Sequence, residues 1–291
     1  MILKTRAGIL DFDEGPFLMG ILNVTPDSFT DGGKYGTIEA AVSRAKAMVA
    51  EGADLIDVGG ESTRPGADPV PLEEELRRVT PVVEILCRSF PHVPISIDTT
   101  KAAVARRCLE SGASIVNDVS ALRDDPAMAR VVKEHDVPVI LMHRQGISRT
   151  MQANPIYENV VDEIKDFLSE RMDWAVRQGL RADQFVVDPG IGFGKTTAHN
   201  LDLLRNLRSF LEMEQPLLVG ASLKSFIGKI LGEEDCPAPV EERAEGTLAA
   251  HLWAASQGAH ILRVHDVAAH RKALTMWKMI HYAPKPFPFE A

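Results

Sequence analysis

Eight short apolar runs, rich in residues that favour β-structure, recur along the whole chain and constrain its fold more than any other feature. They lie at residues 18–25, 55–59, 95–98, 115–120, 139–143, 185–189, 217–222 and 261–265. Segments with helical periodicity separate most of these runs. An alternation of strands and helices predicts parallel strands joined by helical crossovers, and continuously apolar strands predict burial on both faces.

Eight strand–helix units favour a single (β/α)8 TIM barrel, an α/β fold, over an open sheet. The alternative is a doubly wound sheet of six or seven strands in which one apolar run is not a strand. Because no glycine- or proline-rich linker divides the chain, we predict one domain over residues 1–291. Within it, residues 1–15 are predicted to form a hairpin or lid over the barrel bottom, and residues 284–291 a peripheral tail.

Charge and cysteine content limit the classes of partner and the compartment. The 41 acidic and 32 basic side chains give a formal charge of −9, which disfavours nucleic acid and anionic membranes as partners. Cys87, Cys108 and Cys236 form neither a disulfide framework nor a CxxC pair, so we predict a reducing, cytoplasmic location. Nowhere do 18 apolar residues run together, so no membrane-spanning segment is expected.

Polar residues close nearly every apolar run. In a TIM barrel the active site lies at the carboxyl ends of the strands, so these positions are the candidates for chemistry. Any one of them could be a satisfied buried group or a helix cap, but together they predict a site. The residues are Asn23, Thr25, Asp57, Asp98, Asn117, Asp118, His143, Asp188, Ser222, Lys224, Arg263 and His265.

The last two runs predict an anion site. Arg263 and His265 share one face of the eighth run, as Ser222 and Lys224 share one face of the seventh. Barrels frequently bind phosphate beyond strands seven and eight, and an arginine can grip a phosphoryl group with two parallel hydrogen bonds.

The opposite wall of the predicted cavity carries acceptors and amides. Asp98, Asn117 and Asp188 suit a planar nitrogen heterocycle, because a carboxylate can accept two parallel hydrogen bonds from an aminopyrimidine edge. We therefore expect one end of the cavity to bind an anion and the other a heterocycle.

Other patterns are weaker. Residues 188–196 resemble a phosphate-binding P-loop but are one residue short of its spacing, so nucleotide hydrolysis is disfavoured. Glycines in this segment are expected to let the backbone turn close to a ligand. Histidines other than His143 and His265, His251 and His270 among them, lack metal-ligand spacing and are predicted to be surface or packing residues.

Seven segments, in order, resemble the motifs of the dihydropteroate synthases, which are folate-pathway members of the pterin-binding barrel family. They are MGILNVTPDSF at 19–29, GGESTRPG at 59–66, SID at 96–98, NDV at 117–119, DPGIGF at 188–193, KS at 224–225 and RVH at 263–265. The resemblance extends from about residue 17 to residue 282. Such a set is highly specific, whereas any single motif would be weak.

The resemblance implies a Mg2+-dependent condensation of 6-hydroxymethyl-7,8-dihydropterin pyrophosphate with p-aminobenzoate, giving dihydropteroate and pyrophosphate. It also implies inhibition by sulfonamides. Relatives pair through helices near the C-terminus, and the apolar residues Trp253, Met276, Trp277 and Met279 there favour a homodimer, although core packing would also explain them.

Family motifs also imply roles for individual residues. The pterin would be held by Asp98, Asn117, Asp188 and Lys224, with Met142 and Gly220 lining its slot. The pyrophosphate would be received by Asn23, Thr63, Arg64, Arg263 and His265, with Mg2+ on Asn23. The p-aminobenzoate pocket would consist of Thr63, Pro65, Phe193, Lys224 and Ser225, partly on mobile loops at 27–35 and 61–68. The catalytic residues would be Asp98, Lys224, Arg263 and His265.

One position departs from the family pattern. Leu223 stands where the family usually has arginine, and strand alternation predicts that it points away from the face carrying Ser222 and Lys224. Two alternative functions remain. A pterin-binding methyltransferase that acts on a corrinoid protein would not need Lys224 or the 263–265 motif, and Leu223 leaves room for a paralogue that binds pterin without catalysis.

Overall fold

The computed structural model describes residues 1–25, 33–62, 68–146 and 150–282. Three predicted site residues, Thr63, Arg64 and Pro65, lie outside the described residues, as do the tail at 284–291 and most of the predicted loop at 27–35. Residues 33–35, predicted as loop, belong to a helix instead.

Eight parallel strands form a barrel, which confirms the predicted fold and excludes the doubly wound sheet. They are β3 (Phe17–Asn23), β4 (Leu55–Gly59), β5 (Ile95–Asp98), β6 (Ile115–Asp118), β7 (Val139–Met142), β8 (Phe185–Asp188), β9 (Leu218–Val219) and β10 (Ile261–Val264). Their order is β8-β7-β6-β5-β4-β3-β10-β9. A parallel bridge between Val187 and Leu217 joins β8 to β9 and closes the ring.

Helices surround the barrel and cover the outward, apolar face of its strands. They are α1 (Gly33–Ala50), α2 (Leu72–Ser89), α3 (Ala102–Glu110), α4 (Ala127–His135), α5 (Val160–Arg177), α6 (Thr197–Arg205), α7 (Ser225–Leu231), α8 (Ala244–Ser256) and α9 (Val267–Tyr282). Within the described ranges, none of these helices combines the length and the apolar character needed to cross a bilayer.

The predicted N-terminal hairpin is present and closes one end of the barrel. Strands β1 (Ile2–Thr5) and β2 (Gly8–Asp11) pair antiparallel. Leu3, Leu10 and Phe12 pack against an inward apolar layer of the barrel strands. Burying each such side chain contributes about 1.5–3 kcal/mol, so the hairpin seals the barrel with apolar contacts.

Inward side chains change from apolar to polar along the strands. Alternation turns every second residue inward, so an apolar residue near the strand start is followed two positions later by a polar one. The pairs are Leu55 and Asp57 on β4, Ile115 and Asn117 on β6, Val186 and Asp188 on β8, and Ile261 and Arg263 on β10. The polar members therefore meet at the carboxyl ends of the strands.

The seventh apolar run is mostly not a strand. Of the predicted residues 217–222, only Leu218–Val219 form β9, because pairing with β10 ends at Leu262 and Val219. The chain then turns, and Leu223 adopts a left-handed conformation with φ of 57°. Leu223 therefore lies outside any strand, and strand alternation cannot predict the direction of its side chain.

Candidate active site

A cavity of about 600 Å³ lies beyond the carboxyl ends of β3, β8, β9 and β10. Many residues predicted for the site line it: Asn23, Phe193, Gly220, Lys224, Ser225, Arg263 and His265. The other predicted members with described positions, Asp98, Asn117, Met142 and Asp188, are buried at the ends of β5, β6, β7 and β8. One rim thus gathers the residues that the motifs had singled out.

Arg263 connects the two predicted walls of the cavity. Its Nε donates to Asp57 Oδ2 and its Nη2 to Asp98 Oδ2, both at 2.7 Å. Asn117 Nδ2 donates to the same Asp57 oxygen at 2.9 Å. Burial lowers the pKa of Arg263, but the carboxylates of Asp57 and Asp98 outweigh it and raise that pKa above its usual value. The guanidinium therefore lies among the acceptors as well as lining the cavity.

Two of the buried carboxylate oxygens that have no hydrogen-bond partner among the described residues belong to the two aspartates that pair with Arg263. They are Asp57 Oδ1 and Asp98 Oδ1. An unpaired buried acceptor costs about 1–3 kcal/mol, so it calls for an explanation such as a ligand. Burial also raises the pKa of Asp98 to about 7, against the opposing effect of Arg263. This wall is therefore able to accept N–H groups from a bound heterocycle.

Asp188 lies next to Met142 in the ladder between β7 and β8. Its Oδ1 accepts a hydrogen bond from Gly190 N at 2.7 Å. Burial raises the pKa of Asp188 to about 6, while the Gly190 N–H and the charges of Lys224 and Arg263 oppose the rise. Asp188 and Arg263 therefore share one electrostatic environment. Met142 packs with Phe193 beside it and gives the site an apolar surface.

The segment after Asp188 turns sharply on glycines, as predicted. Gly190, Gly192 and Gly194 have φ values of 68°, 82° and 63°. A Cβ on Gly190 would lie 1.9 Å from the carbonyl oxygen of His143, so no larger residue fits there. The backbone thereby passes close under the cavity rim.

Lys195, in the segment that resembles a P-loop, is buried rather than presented as a phosphate-binding lysine. Its Nζ donates to the carbonyl oxygen of Phe193 at 3.0 Å and lies 3.0 Å from His143 Nδ1. Burial lowers the pKa of Lys195 to about 7, with Asp188 raising it and Lys224 lowering it. Burial also lowers the pKa of His143 to about 2, so His143 is neutral and can accept from Lys195.

Phe193 and Lys224, both predicted for the p-aminobenzoate pocket, are in contact. Lys224 Nζ lies 3.8 Å from the centroid of the Phe193 ring, a cation–π arrangement. Ser225 follows Lys224 and begins α7, and its side chain is exposed at the cavity. An aromatic face, an ammonium group and a hydroxyl are thus available together.

His265 and Ser222 form a second polar pair at the ends of β10 and β9. The imidazole Nδ1 lies 2.9 Å from Ser222 Oγ, and the His265 backbone N donates to the same oxygen at 3.2 Å. Both side chains line the cavity, as Lys224 does. Cationic and hydroxyl groups therefore converge at the predicted anion end.

Asn23 is compatible with a magnesium ion that arrives with a phosphorylated ligand. Mg2+ prefers oxygen ligands, keeps several waters and is often held by one or two protein groups plus phosphates. Asn23 is the last residue of β3 and lines the cavity, so it offers an amide oxygen at the predicted anion end. Over the described ranges, no group of three His, Cys, Asp or Glu side chains is arranged to hold a metal without a ligand.

Leu223 lines the cavity together with Ser222 and Lys224, so the prediction that it points away from them is wrong. The cause is the left-handed turn, which replaces the expected strand. Leu223 N donates to Thr247 Oγ1 at 3.0 Å, and Arg243 Nη1 donates to the Leu223 carbonyl at 3.2 Å.

Sequence reasoning gave no individual role to three residues that the structure places at or beside the site: Asp57, Lys195 and Ser222. Asp57 is an acidic residue between Ile56 and Val58 in an apolar run, which makes it a candidate. Its hydrogen bond with Arg263, which lies on a strand distant in sequence, cannot be predicted from the sequence. Lys195 was set aside with the segment that resembles a P-loop. Ser222 was named as a strand-end candidate beside Lys224, but its contact with His265 was not predicted.

The chain is similar to known proteins over most of its length. The model of the family described as pterin binding enzyme matches residues 19–265. The dihydropteroate synthase of Synechocystis sp. is 47% identical over 261 residues, covering 90% of this chain and 89% of that protein.

Two solved structures are similar over almost the whole chain. The Xanthomonas albilineans dihydropteroate synthase with 4-aminobenzoic acid has a TM-score of 0.87 and 48% identity, covering 95% of this chain and 96% of its own. The Yersinia pestis dihydropteroate synthase in complex with a sulfonamide drug has a TM-score of 0.89 and 42% identity, covering 97% and 99%.

Proposed function

The chain belongs to the dihydropteroate synthases of the pterin-binding enzyme family, which are transferases of folate biosynthesis, and we propose that it joins a dihydropterin to p-aminobenzoate. The substrates are 6-hydroxymethyl-7,8-dihydropterin pyrophosphate and p-aminobenzoate, and the products are 7,8-dihydropteroate and pyrophosphate. The observation that carries this proposal is Arg263, which is hydrogen-bonded to Asp57 and Asp98 while it lines the same cavity as Lys224 and His265.

Asp98, Asn117 and Asp188 form the acidic wall of the site, and this wall binds the pterin. Asp188 and Asp98 accept hydrogen bonds from the amino and ring N–H groups, and the unpaired Asp98 Oδ1 supplies a ready acceptor. Asn117 is held by Asp57, which fixes the direction of its amide. Met142 lies beside the ring plane, and Gly220, which has no side chain, lines the cavity next to it.

The p-aminobenzoate pocket consists of Phe193, Lys224 and Ser225, together with Thr63 and Pro65, which the family motifs assign to it. The ring of p-aminobenzoate packs on the Phe193 side, and its carboxylate lies near the cation of Lys224 and the start of α7. A 4-aminobenzoic acid ligand in the related Xanthomonas albilineans structure supports this assignment.

The reaction breaks the C–O bond between the pterin methylene and pyrophosphate. The bonding electron pair leaves with the pyrophosphate oxygen, and the amine nitrogen of p-aminobenzoate then bonds the methylene carbon and releases a proton to solvent. We propose that bond cleavage runs ahead of attack, because the electron-rich dihydropterin delocalises the positive charge that remains. No protein nucleophile takes part.

Arginine guanidinium groups and hydrogen-bonding side chains stabilise the departing pyrophosphate. Arg263, His265 and Asn23 face it, joined by Thr63 and Arg64 according to the family motifs. When bound at Asn23, Mg2+ would neutralise part of the charge on the phosphate oxygens. Since the amine is a weak base, holding it against the electron-poor carbon contributes more than removing its proton.

Pyrophosphate release tests the proposal. The purified protein is mixed with both substrates and Mg2+, and we expect pyrophosphate and dihydropteroate in equal amounts. Without p-aminobenzoate we expect no dihydropteroate and a much slower release of pyrophosphate. No release despite intact pterin binding would favour a non-catalytic paralogue. Transfer of a methyl group from a methylated pterin to a corrinoid protein would instead identify the methyltransferase alternative.

Sulfonamides are expected to compete with p-aminobenzoate for this pocket. The related Yersinia pestis protein has been solved with a sulfonamide drug, which supports the expectation. In the turnover assay, a sulfonamide should raise the KM for p-aminobenzoate and leave the maximal rate unchanged. A purely noncompetitive pattern would contradict a shared pocket.

We further propose a cytoplasmic, single-domain homodimer. Trp253, Met276 and Ile280 are exposed apolar residues on α8 and α9 and supply a self-complementary contact face. Trp277, named with them in the sequence prediction, is buried and packs inside the protomer. Sedimentation of Met276→Glu tests the dimer, and a wild-type monomer would refute it. The free cysteines Cys87, Cys108 and Cys236 agree with a reducing compartment.

A further inference from the structure

Two histidines that no step of the reaction uses lie buried in contact behind the anion end of the cavity. His251 on α8 is 0% exposed and His270 on α9 is 3% exposed. His251 Nδ1 lies 2.8 Å from His270 Nε2. Both histidines are buried, as packing residues would be. Both also make specific polar contacts, which the sequence prediction did not include.

Their hydrogen bonds fix which nitrogen carries each proton. Ala221 N donates to His251 Nε2 at 3.0 Å, so that nitrogen must be bare. His270 Nδ1 lies 2.6 Å from the Asp266 carbonyl oxygen, so it must carry a proton. If both rings are neutral, His251 donates from Nδ1 to His270 Nε2, and this is the only assignment that satisfies all three contacts.

Both rings are neutral in this environment. Burial lowers the pKa of His251 well below its usual value, and the neighbouring His270 and His265 lower it further. Burial also lowers the pKa of His270, against the Asp266 carbonyl and the Asp266 carboxylate, which raise it. Among the described residues, the titratable groups that act on the pair from outside it are His265, just beyond β10, and Asp266, just before α9.

The pair closes a ring of contacts between the ends of β9 and β10. Starting at Ala221, the ring passes through His251 and His270 to Asp266, which follows His265 in the chain. It returns through the bond from His265 to Ser222, which follows Ala221. Ladder pairing between the two strands stops earlier, at Leu262 and Val219, so side chains rather than the sheet join their ends.

We propose that His251 and His270 are positioning residues for the reaction: the pair holds Ser222 and His265 at the spacing that receives the leaving pyrophosphate. This inference rests on the proposed function only for the identity of the anion. Loss of the pair would leave the turn at 220–224 with two bonds at Leu223, from its N to Thr247 and from Arg243 to its carbonyl oxygen, and without the bond at Ala221 N. Ser222 and His265 would then be less firmly positioned, whereas the residues of the acidic wall would keep their positions.

Nitrogen-15 NMR of the wild-type imidazoles tests the proton assignment without any turnover. We expect both His251 and His270 to be neutral near pH 7, each with its proton on Nδ1. A proton on Nε2 of His251 would break the contact with Ala221 N and overturn the ring. Because this measurement needs no substrate, it decides the geometry even if the chain proves to have another activity.

His251→Leu tests the positioning role, and His260→Leu is the matched control. His260 also accepts a hydrogen bond from the β9 segment, from Leu217 N at 3.0 Å, but at the opposite end of the strand. We expect His251→Leu to raise the KM for the pterin pyrophosphate about tenfold, because misplaced groups lose their contacts. Its affinity for 6-hydroxymethylpterin, which lacks the phosphates, should stay unchanged.

His260→Leu should lose comparable thermal stability without either change. His251→Gln should restore much of the KM, because its amide oxygen can accept from Ala221 N while its amide nitrogen donates to His270. Equal KM values in His251→Leu and His260→Leu would overturn the positioning role. If His251→Leu does not fold, the comparison of His251→Gln with wild type and the NMR assignment still decide it. A wild-type protein without pyrophosphate release would refute the proposed function instead.

Discussion

Arg263 Nη2 donates a hydrogen bond to Asp98 Oδ2 at 2.7 Å. This contact joins a cation predicted for the pyrophosphate to a carboxylate predicted for the pterin. Asp57 accepts the other side of the same guanidinium, so removing Asp98 would leave the cation partly paired. Arg263 can thus orient the acceptor wall and still contribute positive potential to the cavity.

Asp98→Asn is expected to weaken pterin binding by about 10- to 100-fold, because a charged acceptor for ring N–H groups becomes a neutral amide. Titration calorimetry with a pterin measures the change. The surface pair of Arg205 and Asp202 offers a control, since Asp202→Asn removes a carboxylate that does not line the cavity. Unchanged affinity in Asp98→Asn would exclude Asp98 from the pterin site.

Pterin affinity should fall as the pH drops from about 8 to about 5, because protonation removes acceptors. The pKa values of Asp98 and Asp188 are about 7 and about 6, both raised mainly by burial. Binding measured across this range checks the fall, and Asp188→Asn should flatten its acidic part. A pH-independent affinity would contradict ionised carboxylates as the acceptors.

Asp188→Asn should also change the free energy of unfolding. This substitution is expected to impair pterin binding but to stabilise the folded protein at neutral pH. The pKa of Asp188 rises on folding from 3.8 to about 6. Ionised Asp188 therefore lowers the free energy of unfolding by its full amount above about pH 6, by less as the pH falls from 6 to 3.8, and not at all below 3.8. Asp188→Asn should therefore be more stable than wild type at neutral pH, with a difference that shrinks as the pH falls through 6. Chemical unfolding of both proteins gives this difference, and a gap that widens in acid would refute the raised pKa.

Lys195→Met should raise the KM for p-aminobenzoate about tenfold with a smaller effect on the KM for the pterin substrate, because a displaced aromatic contact is local. Lys195 Nζ holds the Phe193 carbonyl, and the Phe193 ring faces Lys224. Steady-state kinetics check this, with Lys229→Met as control, since Lys229 pairs with Glu234 at the outer rim. Equal effects of the two variants would show that Lys195 does not position Phe193.

Leu223→Gly should be about 1 kcal/mol more stable than Leu223→Ala, because only glycine adopts a positive φ without a steric penalty. Both variants lose the same side-chain packing, so their difference in thermal unfolding isolates the φ of 57°. Equal stability would contradict the left-handed turn.

Leu223→Arg restores the residue usual in the family and places a guanidinium at the cavity, where Leu223 is half-buried. We expect a several-fold higher kcat/KM for p-aminobenzoate, because a cation near its carboxylate favours binding. An unchanged kcat/KM would show that leucine at position 223 does not lower the activity.

The barrel and the position of its rim follow from patterns that a single sequence carries. Runs such as 95–98 and 185–189 predict their strands, because burial on both faces demands continuous apolar residues. Their terminal carboxylates, Asp98 and Asp188, mark the rim because parallel strands all end there.

Pairing across the barrel could not be predicted in the same way. The bond between Arg263 and Asp57 joins residues 206 positions apart, and the contact of His251 with His270 depends on how α8 and α9 pack. Leu223 was misplaced because the end of β9 is set by tertiary contacts with Thr247, which local alternation does not encode.

A crystal structure with the pterin pyrophosphate and a p-aminobenzoate analogue tests the central claim most directly. We predict the pterin N–H groups on Asp98 and Asp188, the phosphates at His265 and Arg263, and the aryl ring beside Phe193. A pterin bound elsewhere, or phosphates that contact neither Arg263 nor His265, would contradict the account.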